Sequence, residues 1–488
     1  MGDEARQRSA AGSKFADLLQ SLSYGIGHFY NDLCACLWFS FLVIFSEKVL
    51  MLSSVHSGIV ILVGQVTDAI ATPLVGYLSD RFQPPACFAK YGKRKTWHLA
   101  GSILVTCSFP FIFNVLIADR GALTDYQQLS WLLPFVVVFQ IGWASVQISH
   151  LALIPVLAAD KSRRTTLNAL RNCFTIVAQV AVFALMIGFL GVSRDKLSPD
   201  DAWTFKRVDW IVVGVGIATS ALFHLGTIEP PSQHHPYTSL NSPALVEVAP
   251  KWSSWLGRAD FWLVGILYMC SRLYINVSQV YMGLYVEYTQ DYDKKFVAII
   301  PLVVCLASFL ISTGISIPGV NRYFNNCKLL YISGAVAGGG ASVWLWELGL
   351  VEWELYGIAV LLGIAQALAL VCSLGITAEL IGSASATCAF VYGSMSFADK
   401  LLNGICYQII QTMDPSCEAG EGVHPACRSF FRRVMVWVPA GALCVALMAL
   451  SLLFLRPPSL SRTASPSLGS RDSLSEECAA ELPITVTA

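Results

Sequence analysis

The sequence predicts an all-α membrane protein of about twelve transmembrane helices, divided six and six. Three observations carry that expectation. First, of 488 residues 55% are hydrophobic and only 13% charged, against about a quarter charged in a soluble domain, and mean hydropathy is +0.59. Second, the apolar residues come in runs of about 20, the length a helix needs to cross a hydrocarbon layer. A backbone in lipid must satisfy its own hydrogen bonds, so such runs are helices. Third, one long polar break, residues 229–258, divides the runs evenly. A formal net charge of zero argues against a nucleic-acid partner.

The N-terminal segment 1–16 carries Asp3, Glu4, Arg6 and Arg8 and shows no cleavable signal peptide. Arg6 stands where a myristoylation signal after Gly2 needs Ser or Thr. The predicted spans are 17–46, 55–79, 96–117, 129–158, 167–191 and 208–228, then 259–289, 295–318, 328–349, 353–380, 385–412 and 430–456. Span 1 holds Tyr24, His28, Asn31 and Asp32; span 2 holds Gln65, Asp68 and Thr72. The loop before span 3 reads Gly76-Tyr-Leu-Ser-Asp80-Arg81, then Tyr91-Gly-Lys-Arg-Lys95. Span 4 holds Gln140, Trp143, Gln147 and His150, and span 5 holds Arg171. In the second half, span 7 holds Tyr268, Arg272, Tyr274, Asn276 and Glu287, and span 10 ends near Glu379. Span 11 holds Tyr392, Ser396, Lys400, Asn403 and Tyr407, with Asp399 beside Lys400. Residues 457–488 are Ser-rich and polar, which predicts a disordered tail.

Lys and Arg set the expected direction of insertion. Of 32, 18 fall in the segments on the side of the termini, 11 in the opposite loops and three inside spans, which favours cytosolic termini. The halves echo each other: Tyr24, His28, Tyr30 and Asp32 match the spacing of Tyr268, Arg272, Tyr274 and Asn276. Paired halves of six spans are a transporter signature.

An ionisable group at bilayer depth costs about 2.5–3.5 kcal/mol, so it faces the protein interior and marks a pathway. Asp32, Asp68, Arg171 and Lys400 therefore predict a polar cavity for a zwitterion or another polar solute, joined by His28, Asn31, Trp143, Gln147, His150 and Tyr392. Burial favours the neutral form of a carboxylate, so Asp32 and Asp68 are the candidate proton carriers. Mutual pairing that only ties helices together is the bland alternative for all of these. Asp80, Arg81, Arg272 and Asp399 are candidate gating residues. Cys417 and Cys427 flank a polar loop and are a candidate disulfide. Most of the fifteen cysteines sit in apolar runs as small hydrophobes. No metal or cofactor site is expected. Tyr237-Thr-Ser-Leu240 fits a tyrosine-based endolysosomal sorting signal, and the sequon Asn276-Val-Ser278 lies within a span.

The Gly76…Asp80-Arg81…Gly92-Lys-Arg-Lys95 order resembles the inter-helix motif of the major facilitator superfamily. Asp68-Ala-Ile-Ala-Thr-Pro73-Leu-Val-Gly76, with Asp32, Arg171 and Lys400 in register, resembles its glycoside-pentoside-hexuronide:cation symporter branch. The resemblance implies a major facilitator fold of two six-helix bundles, 17–228 and 259–456, joined by the cytosolic linker 229–258. Two acids of that branch's sodium site are replaced here, by Thr72 and Gln147. A proton-linked or uncoupled carrier is therefore expected. The runs from Gly27 to Ala35, Tyr91 to Leu99 and Phe139 to Leu151 resemble a vertebrate lysosomal and melanosomal subfamily tied to cysteine entry into the organelle and to pigmentation. That resemblance implies import of cysteine from the cytosol by a monomeric carrier in those membranes. Transport of a sugar or lysolipid, and a non-transporting scaffold, are the competing readings; an enzyme is not expected.

Overall fold

The computed structural model describes residues 17–82, 85, 88, 90–114, 123–158, 160–191, 195–230, 252–316, 326–381, 388–415 and 425–455. The tail 457–488, Cys417, Tyr237 and Leu240 lie outside them. No strand occurs among the described residues. Twelve long helices do. The first six are α1 (Asp17–Val49), α2 (Ser54–Arg81), α3 (Lys93–Phe113), α4 (Asp125–Leu157), α5 (Lys161–Leu190) and α6 (Ala202–Gly226). The second six are α7 (Ala259–Thr289), α8 (Phe296–Ser316), α9 (Cys327–Trp344), α10 (Glu352–Ile381), α11 (Cys388–Thr412) and α12 (Pro425–Leu455).

Ten of these helices are long and apolar enough to cross a membrane by composition. The exceptions are α9, diluted by Gly334, Gly338, Gly339 and Gly340, and α11, which carries Asp399, Lys400, Asn403 and the glutamines Gln408 and Gln411. A helix faces protein on one side, so α11 can spend that side on polar groups. Several helices outlast their apolar runs. α5 begins at Lys161, where the Asp160 carboxylate caps it by accepting from Arg163 N at 2.9 Å.

α1–α6 pack together and α7–α12 pack together; the bundles meet where α2 runs along α11, α1 against α7 and α5 against α8. α3 and α4 cross with Gly101 against Gly142, each close enough that an added Cβ would meet the other backbone at 2.8–2.9 Å. Small residues permit such contact between membrane helices. The first bundle is also clipped from its exit. Glu229, just past α6, accepts from Arg94 N (3.1 Å) and Lys95 N (2.9 Å), satisfying the free N–H groups that begin α3. Gly92 precedes them at φ +112°, and a side chain there would strike Glu229. Trp255, ahead of α7, is fully buried.

One group of cross-bundle polar contacts between described residues lies on the side away from the termini, called the far side below. There Gln411 Nε2 donates to Glu47 Oε1 (2.7 Å), Ser54 Oγ to Asp414 (2.5 Å), and Lys294 pairs with Asp201 (2.7 Å). The repeat between halves is clearest at the same place. Phe45–Val49 closes α1 and Tyr285–Thr289 closes α7, each as a π turn. The bonds Leu50 N to Phe45 O and Gln290 N to Tyr285 O span five residues each. This pairing makes Asp32 the counterpart of Arg272, one helical turn from the register that tyrosine spacing suggests.

Candidate transport site

The structure sorts the candidate substrate-site charges Asp32, Asp68, Arg171 and Lys400 into two clusters. One lines a cavity between the bundles of about 890 Å³, mouth included, walled by Trp38, Asp68, Gln140, Trp143 and Gln147 from the first bundle and Tyr268, Arg272, Tyr392, Ser396, Asp399 and Lys400 from the second. Across the seam, Lys400 Nζ lies 2.6 Å from Asp68 Oδ2 and donates to Thr72 Oγ1 at 2.9 Å. Thr72 in turn donates to Asp68 Oδ1 at 2.9 Å. Within the second bundle, Arg272 Nε donates to Asp399 Oδ2 at 3.1 Å, and Asn403 Nδ2 to Asp399 Oδ1 at 2.6 Å. Adjacent residues on a helix point about 100° apart, so Asp399 and Lys400 take different partners while both reach the cavity wall.

The second cluster is sealed inside the first bundle. Asp32, His28, Asn31, His150 and Arg171 are each 0% exposed. His28 Nδ1 is 2.9 Å from Asp32 Oδ1, and Thr175 Oγ1 donates to Asp32 Oδ2 at 2.8 Å. The Arg171 guanidinium sits in the field of Asp32 and Tyr24, and its three nitrogens make no hydrogen bond. His150 stacks on Tyr24 with ring centroids 4.3 Å apart, its Nε2 2.8 Å from Tyr24 O. Trp143 stands between the clusters. Its ring lines the cavity, its Nε1 donates to Gln147 Oε1 (3.1 Å), and its carbonyl accepts from Asn31 Nδ2 (3.1 Å).

Of the residues named from the sequence, Asp68, Trp143, Gln147, Tyr392 and Lys400 thus share the cavity, with the gating candidates Arg272 and Asp399 beside them. Asp80 is instead tied to α3, accepting from Arg94 Nη2 at 2.6 Å, while Arg81 lies over the Tyr77 ring at 4.6 Å. Cys427 is buried and disulfide-bonded. Asn276 of the sequon is buried in α7. Among the described residues no cluster of His, Cys, Asp and Glu is placed to hold a metal ion. Tyr268, spaced to echo Tyr24, lines the cavity, whereas Tyr24 is sealed; Trp38, in an apolar stretch, gave no polar signal at all.

Comparison with known proteins gives this architecture its family. The model for "MFS/sugar transport protein" matches residues 23–386, and the chain belongs to that family of major facilitator transporters. It is a multi-pass membrane transporter. The human "Major facilitator superfamily domain-containing protein 12" is 41% identical over 91% of this chain and 95% of its own length. A zebrafish (Danio rerio) "Sodium-dependent lysophosphatidylcholine symporter 1-B" is 22% identical over 36% of this chain and 31% of its own. Among solved structures, the inward open xylose transporter XylE from E. coli superposes with TM-score 0.60, 15% identity and coverage of 92% of this chain and 97% of that one. At that identity the likeness shows the fold.

Proposed function

We propose that this transporter carries a small zwitterion, cysteine, from the cytosol into lysosomes and melanosomes by alternating access. The observation that carries the reading is the pair of opposite-charge pairs, Asp68–Lys400 and Arg272–Asp399, facing one polar cavity from both bundles. A zwitterion exchanges one internal ion pair for two external ones. Its carboxylate meets Lys400 or Arg272, its ammonium Asp68 or Asp399. The site's charges are already buried, so the desolvation still to be met is that of the substrate's own carboxylate and ammonium, which the new pairs offset. Since Asp68–Lys400 spans the seam, a substrate that splits it also loosens the tie between bundles. The identity of the zwitterion and the direction of transport both come from the subfamily resemblance in the runs around Asp32, Gly92 and Trp143.

Thr72 and Gln147 stand where, by the resemblance, the symporter branch has two acids of its sodium site, and here Lys400 Nζ lies against both Asp68 and Thr72. This favours sodium-independent transport. Uptake of labelled cysteine into proteoliposomes of known orientation, with and without sodium and across pH, tests the reading. Saturable uptake that survives sodium removal and collapses in Lys400→Ala supports it; undiminished uptake by Lys400→Ala sinks the site assignment.

One observation favours a second reading. A second pocket, lined by Phe183, Ile275, Met282, Pro301 and Val304 together with Gln179, Gln279 and Gln366, shares Arg272 and Leu370 with the polar cavity and forms a mostly apolar annex to it. A lysolipid could lay its headgroup on Arg272 and its chain in the annex. Competition of cysteine uptake by a lysophospholipid below its micellar concentration would favour that reading.

A further inference from the structure

The far seal contains matched acids that the transport site does not use. In the π turns closing α1 and α7, the third residue is Glu47 in one half and Glu287 in the other. Both turns lead into a residue with positive φ, Met51 (55°) and Asp291 (60°). Both glutamates face the seam between bundles. Glu47 Oε1 accepts from Gln411 Nε2 of the opposite bundle at 2.7 Å. Glu287 is 2% exposed, and neither of its carboxylate oxygens accepts a hydrogen bond, although Lys48 Nζ lies 3.3 Å from Oε1. Lys48 also lies over the Tyr288 ring, 3.7 Å from its centroid.

Among the described residues the other bases near the seam already have partners. From α11, Asp414 adds a third carboxylate, held by Ser54 of α2. Burial pushes the Asp414 carboxyl above the usual range, the Ser54 hydrogen bond only partly offsetting it. Lys294, before α8, pairs with Asp201 at the start of α6, and Lys196 pairs with Asp291. His56 of α2 turns to Asp125 of α4 at 2.9 Å. From α12, Arg428 Nε donates to Thr289 O at 2.9 Å, and Arg432 lies over Trp346. Among the described residues Lys48 is thus the base in ion-pair contact with Glu287, while Lys196, held at Asp291, adds a weaker field. Burying an ionised carboxylate without its own cation and hydrogen bonds is expensive enough that the group takes a proton instead.

We propose that Glu47 and Glu287 form a proton-operated latch: a proton taken from far-side water lets the ends of α1 and α7 close, and its return to that water opens the far side. The proton is bound and released there with no other bond changed. If the far side is an acidic organelle lumen, as the proposed function has it, low pH closes the emptied carrier and turns it back toward the cytosol. The direction rests on that reading; the latch does not.

Hydrogen–deuterium exchange of the purified full-length protein in lipid nanodiscs tests it without substrate. The readout is peptides covering 44–52 and 283–292 between pH 5 and 7.5, corrected for intrinsic exchange. Protection is expected to fall as pH rises, by up to about tenfold for each unit separating the glutamate pKa values in closed and open states. Glu47→Gln/Glu287→Gln keeps the neutral form and is expected to stay protected at both pH values, with Glu287→Gln alone intermediate. Glutamine preserves shape, so these variants should fold; a melting temperature checks that. Protection that ignores pH in the native protein overturns the latch, and so does a double variant that tracks it. Absence of cysteine flux would sink the proposed substrate and leave this measurement unaffected.

Discussion

The two charge clusters differ in what their partners allow. Asp68 and Lys400 come from opposite bundles and face a cavity. Asp32, Thr175 and Arg171 come from α1 and α5 of one bundle and face nothing but protein. A pair across the seam must break and reform as the bundles rock. A pair within one bundle can persist through the cycle. The same residue types at similar membrane depth therefore read as transport chemistry in one place and as scaffold in the other, and Trp143 is the wall between them.

The largest effect is expected from Arg171→Met. It removes the cation in whose field the buried Asp32 sits, leaving His28 and Thr175 beside that carboxylate, and loss of a buried charge's counter-ion costs on the order of a few kcal/mol. Folded yield and melting temperature should fall together, while any protein that survives keeps its KM for cysteine. A changed KM at native stability would break the distinction between clusters. Next comes Lys400→Ala, expected to lower kcat/KM about 100-fold, close to 2.7 kcal/mol, with a much smaller change in melting temperature because the cavity admits water to Asp68. The reciprocal swap Asp68→Lys with Lys400→Asp should recover part of that loss, since the seam pair is restored with its poles exchanged; no recovery would mean that polarity toward the substrate matters more than the tie. The smallest effect is expected from Trp143→Phe. It removes the hydrogen bond to Gln147, worth about 1 kcal/mol, and should raise KM a few-fold without lowering stability by more than that amount.

Much of this was legible in the amino-acid order. Hydropathy gave the helices, and polar residues at helical spacing gave the inward faces. The division into two clusters was not legible, because a stripe says which face of a helix is polar but not what that face meets. Asp32 and Asp68 look alike until packing sets α5 against one and α11 against the other. The one-turn slip between halves has a similar cause: Tyr24 and Tyr30 match Tyr268 and Tyr274 at one register, and the π turns select another, four residues away. Glu47 escaped notice because the apolar run stops at 46 while α1 continues to Val49. Glu229 looked like linker, yet it holds the first turn of α3. Helix ends obey backbone hydrogen bonding as much as hydrophobicity, and hydropathy does not record it.

The π turns also say something about how this chain can vary. Each holds one residue more than an ordinary helical turn, and removing it would swing everything beyond by about 100°. Shortening α1 alone would carry Glu47 out of the seam and leave Glu287 facing an unmatched partner. Shortening both would move the two ends alike. Insertions and deletions at residues 45–49 and 285–289 are thus constrained as a couple, and related chains should keep both extra residues or neither.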